Sequence, residues 1–536
     1  MRIRLLITSF AVLNAVLYSA LLPLWEGFDE PFHFGYVQYL ANGWGLPDAR
    51  NTHLSAEVAT SLLLAPASPA VQHNLPAVRT FSEYFSSPRE QRLLAREQLY
   101  HIRPAAGWTN SDYLNYEAHH APLAYALLAV PERALSSVPL PWRVLMLRIF
   151  AALSGILLLY TGMLRLCNDL RLSDTYSNAA IFCVLSCQMT WATIAHVAND
   201  WLAVPLTVWS LSMLIRYWGA PTLGTAARLG ATLVAGLLTK AYFLAVLPLV
   251  LVACFWARKC KAASLVMGFV LLLAAPWYGR NLARYGVITG MQEARSGIGV
   301  TDILKAAPQL DWPALAIRNA RWALWTGNNT FLTFSTWTLN SVLILLLFAM
   351  MLWAVRGEHK SAEWLTAAHC VLFSAALWYS TVLSFLYTRG AATGPSPWYS
   401  QVLLAPVFGL ALLGCSRAGV VGRALASALV IMFGYILVAS YFAKLIPLYA
   451  GFTGRTSFTR LMAWYTTDFK ALLGNLGEVS LAPAQLVVGL ALAVTALTVT
   501  LAIVSVRSFI WELVVVSNCS KEVKEPRDNL VYPAAD

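Results

Sequence analysis

The stretch that decides the fold is residues 2–33, RIRLLITSFAVLNAVLYSALLPLWEGFDEPFH. Its apolar run, Ile3 to Leu24, is long enough to cross a bilayer. Arg2 and Arg4 in front of it hold the N-terminus in the cytoplasm by the positive-inside rule. Where the run stops, Glu26, Asp29 and Glu30 follow within five residues, with His33 just beyond. Carboxylates at a membrane boundary are costly unless they bind something, so this tract points to chemistry at the outer surface.

The rest of the chain agrees with that start. Of the 536 residues 58% are hydrophobic and only 12% charged, and the mean hydropathy is +0.60. A soluble protein carries about twice that share of charge. The net charge of +12 does not indicate nucleic-acid binding, because the basic residues recur in short clusters between apolar runs. None of the eight cysteines falls in a long outer loop, so neither a disulfide framework nor a metal-type spacing is expected. The first helix lacks a small-residue cleavage site and reads as a retained anchor.

After the first span comes a loop of about 95 residues, Trp25 to His120, and then apolar runs near 142–164, 174–196, 201–217, 225–239, 241–257, 262–279, 340–355, 364–388, 399–415, 423–443 and 483–507. The fold class expected is therefore an all-α polytopic membrane protein with about 12 (11–13) transmembrane helices. Ala121 to Val130 is too short to span and is expected at the interface. Counting it as non-spanning leaves Arg165, Arg171, Arg216, Arg228, Arg258, Lys259, Lys261, Arg356, Lys360, Arg417 and Arg423 in cytoplasmic loops; counting it as spanning moves them all outside. Segments 25–140, 280–339 and 444–482 then face outward. The tail, with Lys521, Lys524 and Arg527, is cytoplasmic and expected to be mobile. Three units follow: 1–290, a membrane module carrying the first outer loop; 291–507, a variable membrane module with outer loops 291–339 and 444–482; and 508–536, the cytoplasmic tail.

Four motifs could carry chemistry. Asp29, before Pro31, could simply cap an interfacial helix, but a cap leaves Glu26, Glu30 and His33 unexplained. In Tyr116-Glu117-Ala118-His119-His120, a Glu and two His precede the interfacial segment; they could bind metal or move a proton, or merely hydrogen-bond at the interface. Asp200 stands in the tight outer turn AHVAND, where the alternative to function is turn and cap chemistry. Lys240 and Arg280 lie at outer boundaries against the positive-inside trend, which suits an anionic substrate such as a lipid phosphate; snorkelling is the alternative for either. Arg143 and Arg148 are weaker members of the same kind. The aromatic stretches Trp322–Trp337 and Pro395–Tyr399 read as an interfacial belt or as rings that stack on a sugar.

Taken together, FDEPFHFGYVQYLANGWGLP, EAHHAPLAYALL, VANDWLAVPL, GLLTKAYFLAVLPL and PWYGRNLARYG resemble, in order and spacing, successive motifs of the GT-C glycosyltransferases over roughly the first 290 residues. The resemblance is narrowest to a bacterial branch related to protein O-mannosyltransferases and the lipid A aminoarabinose transferase. The C-terminal half matches weakly: where that branch reads like QGRYLFP, this chain reads SPWYSQVLLAP, without the Arg.

The resemblance implies a membrane glycosyltransferase (hexosyl- or pentosyltransferase) that takes a sugar from a polyprenyl-phosphate donor to a glycan, lipid or protein acceptor. It implies a multi-pass protein of the cell inner membrane, with cytoplasmic termini and a periplasmic site. Asp29 would be the general base or organiser of acceptor and metal, with Glu30 beside it. Asp200 would be the second acid, Lys240, Arg280 and Tyr285 would meet the donor, and His119 and His120 would line the entrance. A divalent metal ion is a candidate cofactor. The competing classes are a multi-pass transporter or flippase for lipid-linked saccharides, which favours similar halves and midplane charges, and a polysaccharide polymerase or ligase.

Overall fold

The computed structural model describes residues 2–102, 109–332, 334–391, 394, 396–452 and 457–522. It is an almost entirely helical protein, as the sequence predicts. Among the described residues eight helices are long and apolar enough to cross a membrane: Ile3–Leu21, Leu140–Asp169, Cys260–Tyr285, Thr336–Arg356, Ser361–Tyr387, Pro397–Ser416, Gly419–Tyr449 and Ala484–Trp511.

The other four runs expected to span are helical but shorter or more polar. The run 174–196 is divided into Asp174–Ser186 and Gln188–Ile194, because Cys187 between them is extended (φ −72°, ψ 119°). Asp200–Gly219 starts on a carboxylate and holds Pro205 inside it. Leu223–Leu237 has 15 residues, and a 3-10 turn, Ala241–Val246, opens the run that ends in Leu247–Trp256. Nearly every residue from Tyr176 to Val208 is buried. Polar and irregular backbone is tolerated there because protein, not lipid, surrounds it. The Leu123–Ala134 segment is a 12-residue helix and does not span, in keeping with the expectation.

Three of the basic residues that charge parity assigns to one compartment, Arg171, Lys360 and Arg417, line one cavity of about 500 Å³ together with Asp169 and Glu363. The last helix continues to Glu522, and Lys524 and Arg527 of the expected tail lie outside the described residues.

The first long loop is folded. It holds the helices Glu30–Ala41, Ala56–Leu64, Pro69–Asn74, Phe81–Ser86 and Arg89–His101 and two small sheets that the sequence did not announce. His53–Ser55 pairs antiparallel with Asn110–Leu114, and Pro66–Ala67 pairs parallel with Arg79–Thr80. Contacts cross the boundary drawn at residue 290. Arg92 Nε donates to Glu478 at 2.7 Å, with Arg89 on the same carboxylate at 3.2 Å, and the first helix packs on Ala484–Glu522. The loop is thus clamped to both halves of the chain, which fixes the Glu26–His33 tract above the bundle.

Candidate active site

Each residue from Trp25 to His33 that could wander is tied to something outside the tract. Trp25 donates its indole N–H to Ser61 Oγ at 2.9 Å. The Glu26 carboxylate accepts from the Ser68 backbone N–H at 3.0 Å and from its hydroxyl. The backbone carbonyls of Glu26 and Gly27 accept from Asn329 Nδ2 at 3.2 and 3.0 Å. Phe28 stacks on Trp398 with ring centroids 4.3 Å apart. At Gly27 any side chain would collide, since a Cβ there would stand 2.6 Å from that of His196.

Asp29 is tied as well, but from an unusual backbone. It occupies the N-cap position of Glu30–Ala41, but in the left-handed region (φ 52°, ψ 20°) and with no capping bond from its side chain. Its carbonyl starts the helix, accepting from Phe32 and His33, while its carboxylate accepts from Tyr116 Oη at 2.5 Å. A non-glycine residue in this region costs energy that the surroundings must supply. The tethers on either side supply it, and they leave a carboxylate held at one place rather than a helix cap.

Opposite stands the Tyr116–His120 turn. Asn115 fixes it, donating to Phe32 O at 2.9 Å and accepting from Glu117 N at 3.1 Å, and Tyr36 donates to His120 O at 3.0 Å. Glu117 Oε2 lies 2.6 Å from His120 Nε2 and 3.9 Å from His33 Nδ1. Burial, reinforced by the Glu117 charge, pushes the Asp29 carboxyl up to about 7, against the Tyr116 bond that lowers it. Burial likewise pushes Glu117 up to about 7. The same loss of solvent pushes His119 and His120 down to about 3, so both rings are neutral near pH 7. The site therefore contains two carboxyls that titrate near neutrality, beside imidazoles that do not.

Asp200 and Lys240, expected separately, form one buried ion pair, Lys240 Nζ reaching the two carboxylate oxygens at 2.6 and 2.7 Å. The ammonium also lies 4.6 Å from the Tyr399 ring centre and 5.6 Å from that of Tyr242. Lys240, His120, Tyr242 and Tyr399 form the polar end of a cavity of about 270 Å³, which continues between apolar residues such as Leu244, Phe373 and Leu383.

The other expected site residues are placed elsewhere. Glu30, expected beside Asp29 in the chemistry, is fully enclosed and takes Arg148 on both oxygens, Nε at 2.7 Å, and the Val197 N–H at 3.0 Å. Arg148 in turn caps the carbonyls of Leu22 and Pro23 at 2.5 and 2.9 Å. Glu30 thus welds the end of the first span to the turn before Asp200, and Arg148 holds its carboxyl below the ordinary range despite burial. Arg280 donates to Pro47 O at 2.8 Å and covers Trp277, while Tyr285 donates to Asp48 at 3.0 Å and accepts from Ala49 N at 3.1 Å. Neither lines the cavity; both fasten the 47–50 segment. His119 keeps Nδ1 on Tyr116 O at 2.7 Å, with Nε2 buried.

Tyr116 and Tyr399 were not singled out as site residues from the sequence. Tyr116 stood inside the motif that drew attention to the histidines, and Tyr399 inside the aromatic stretch 395–399, where nothing local separates it from its neighbours. Among the described residues no three His, Cys, Asp or Glu side chains converge as ligands for a metal ion.

No protein-family model matches the chain, and no curated protein does. Among solved structures the chain is similar to crystalline ArnT from Cupriavidus metallidurans bound to undecaprenyl phosphate, with 15% identity over 83% of this chain and 76% of that one and a TM-score of 0.41.

Proposed function

We propose that this protein is a glycosyltransferase of the inner membrane that moves a sugar from a polyprenyl-phosphate donor to an acceptor hydroxyl on the outer face, with inversion at the anomeric carbon. The observation that carries the reading is Asp29: a cap-position residue that does not cap, held in a left-handed backbone, its carboxyl tuned to about 7 and directed at Tyr116. A group that titrates near the working pH is what general-base catalysis needs.

The surroundings suit the remaining requirements. The apolar length of the cavity suits a prenyl chain, and Lys240 stands at its polar end. An ammonium has three donors; Asp200 takes two, which leaves one for a phosphate oxygen. In the reaction the acceptor O–H passes its proton to Asp29 as the oxygen attacks the anomeric carbon. The bond from that carbon to the phosphate oxygen breaks, and its electron pair leaves with polyprenyl phosphate, whose charge Lys240 balances. A phosphate leaving group needs a cation rather than an acid, so a second carboxylic acid has no task. Glu30, spent on Arg148, is assigned to positioning, and Glu117 to setting the proton affinity of Asp29. The order of motifs over the first 290 residues supports the same reading.

The test is to reconstitute the full chain in lipid nanodiscs with a series of polyprenyl-phosphate-linked sugars and record polyprenyl phosphate release and product configuration by NMR. Release with a single inversion, lost in Asp29→Asn, is expected. Movement of the intact lipid-linked sugar across a bilayer without cleavage would overturn the reading in favour of a flippase.

A further inference from the structure

Two sequence stretches that read equally as an interfacial belt or a sugar platform, Trp322–Trp337 and Pro395–Tyr399, are separated by the structure. Trp337 is 77% exposed and has the place of a belt residue. Trp322, Phe331 and Trp398 are only partly exposed and form a continuous run of rings. Trp322 meets Phe331 edge-on at 5.7 Å, Phe331 lies 6.3 Å from Phe28, and Phe28 stacks on Trp398 at 4.3 Å. Phe28 is the residue before Asp29. The run therefore passes through the chain neighbour of the candidate base.

Its direction also differs from that of the apolar cavity. Tyr399, the neighbour of Trp398, lines that cavity beside Lys240, whereas Trp322, Phe331 and Trp398 do not. The 3-10 turn Pro397–Ser400 thus presents Tyr399 to the cavity and Trp398 to the run of rings. The run is not uniformly apolar. The Arg318 guanidinium lies 5.2 Å over the Trp322 ring, and Asn319 meets Ser400 at 3.1 Å. A ladder of rings with a cation at one end suits a saccharide: its C–H faces pack on aromatic rings while its hydroxyls and any anionic group seek donors.

We infer that Trp398, Phe331 and Trp322, with Arg318 at the outer end, bind the acceptor, and that the acceptor is a carbohydrate chain rather than a protein or a simple lipid. The inference rests on the glycosyltransferase reading and specifies its second substrate.

Saturation-transfer NMR on the nanodisc-bound full chain tests it, with mono- to tetrasaccharides of glucose, galactose, mannose and glucuronate as probes. At least one oligosaccharide is expected to show transfer concentrated on the C–H protons of one sugar face. Trp322→Ala, remote from Asp29, and Arg318→Ala should weaken that binding at least fivefold while leaving polyprenyl phosphate binding and donor hydrolysis by water unchanged. Binding by none of the probes, or equal binding by Trp322→Ala, overturns the inference. So does quenching of the Trp322 emission by brominated lipid as strong as that of Trp337, each read from its Trp→Phe difference. Because donor hydrolysis needs no acceptor, its loss in the unmodified chain would instead count against the glycosyltransferase reading itself.

Discussion

Substitutions of Glu30 and Arg148 separate positioning from chemistry. Both side chains are wholly enclosed, and Arg148 spends its guanidinium on Glu30 and on the carbonyls of Leu22 and Pro23. Arg148→Met leaves the Glu30 carboxylate buried without its counter-charge and two carbonyls without donors. Breaking a buried ion pair in this way costs about 3–5 kcal/mol. Glu30→Gln is milder: it keeps an oxygen for the Val197 N–H or for Arg148 but loses the charge, at a cost of about 1.5–3 kcal/mol. In the double variant Glu30→Met with Arg148→Met no charge is left, and much of the stability should return, giving a coupling energy of several kcal/mol in the cycle. The assay is unfolding of the detergent-solubilised chain, with transfer rates measured at a temperature where every variant is folded. If Glu30 positions Asp29, activity losses should track stability losses and the double variant should recover both. Wild-type stability in Glu30→Gln with a rate loss of about 10²–10⁴-fold, the range for losing an acid or base, would make Glu30 a chemical group and refute the argument.

Further outcomes follow from the same geometry. Tyr116→Phe removes the bond that favours ionised Asp29 and should shift the acid limb of kcat/KM to higher pH, while Glu117→Gln removes a neighbouring negative charge and should shift it lower; equal shifts in one direction would break the assignment. Lys240→Met leaves Asp200 buried without its counter-charge and should lower both thermal stability and transfer, whereas Lys240→Met with Asp200→Asn should restore stability but not transfer. Gly27→Ala places a Cβ 2.6 Å from that of His196 and should cost about 1–3 kcal/mol by overpacking, read in the same unfolding assay.

Much of the membrane architecture was legible because apolar run length and Lys/Arg placement answer to the bilayer alone. The Asp29 tract, the His119–His120 turn, Asp200 and Lys240 were visible for a related reason: each is a charged or ionisable group where lipid makes charge expensive. Pairing was not legible. That Lys240 closes on Asp200, and Arg148 on Glu30, depends on how helices separated by 40 and 118 residues dock, and no local pattern encodes docking. Arg280 and Tyr285 illustrate the converse. Boundary position alone cannot tell a cation that meets a ligand from one that holds a loop, and both fasten residues 47–50. The two small sheets were missed because strands of two to five residues carry too little periodicity to register. Two of the four expected spans that proved short or broken, 174–196 and 201–217, are enclosed by protein along most of their length, where the length demanded by lipid does not apply.

The claim at the centre of the account is that Asp29 is a base tuned by burial and by Glu117. The direct measurement is kcat/KM for sugar transfer between pH 5 and 9, in the unmodified chain and in Asp29→Asn. The account predicts a rate that rises with pH through an inflection near 7, as Asp29 loses its proton, and an Asn variant that has lost about 10²–10⁴-fold of the rate together with that inflection. A profile already flat at pH 5, or an Asn variant that keeps both rate and inflection, would contradict it.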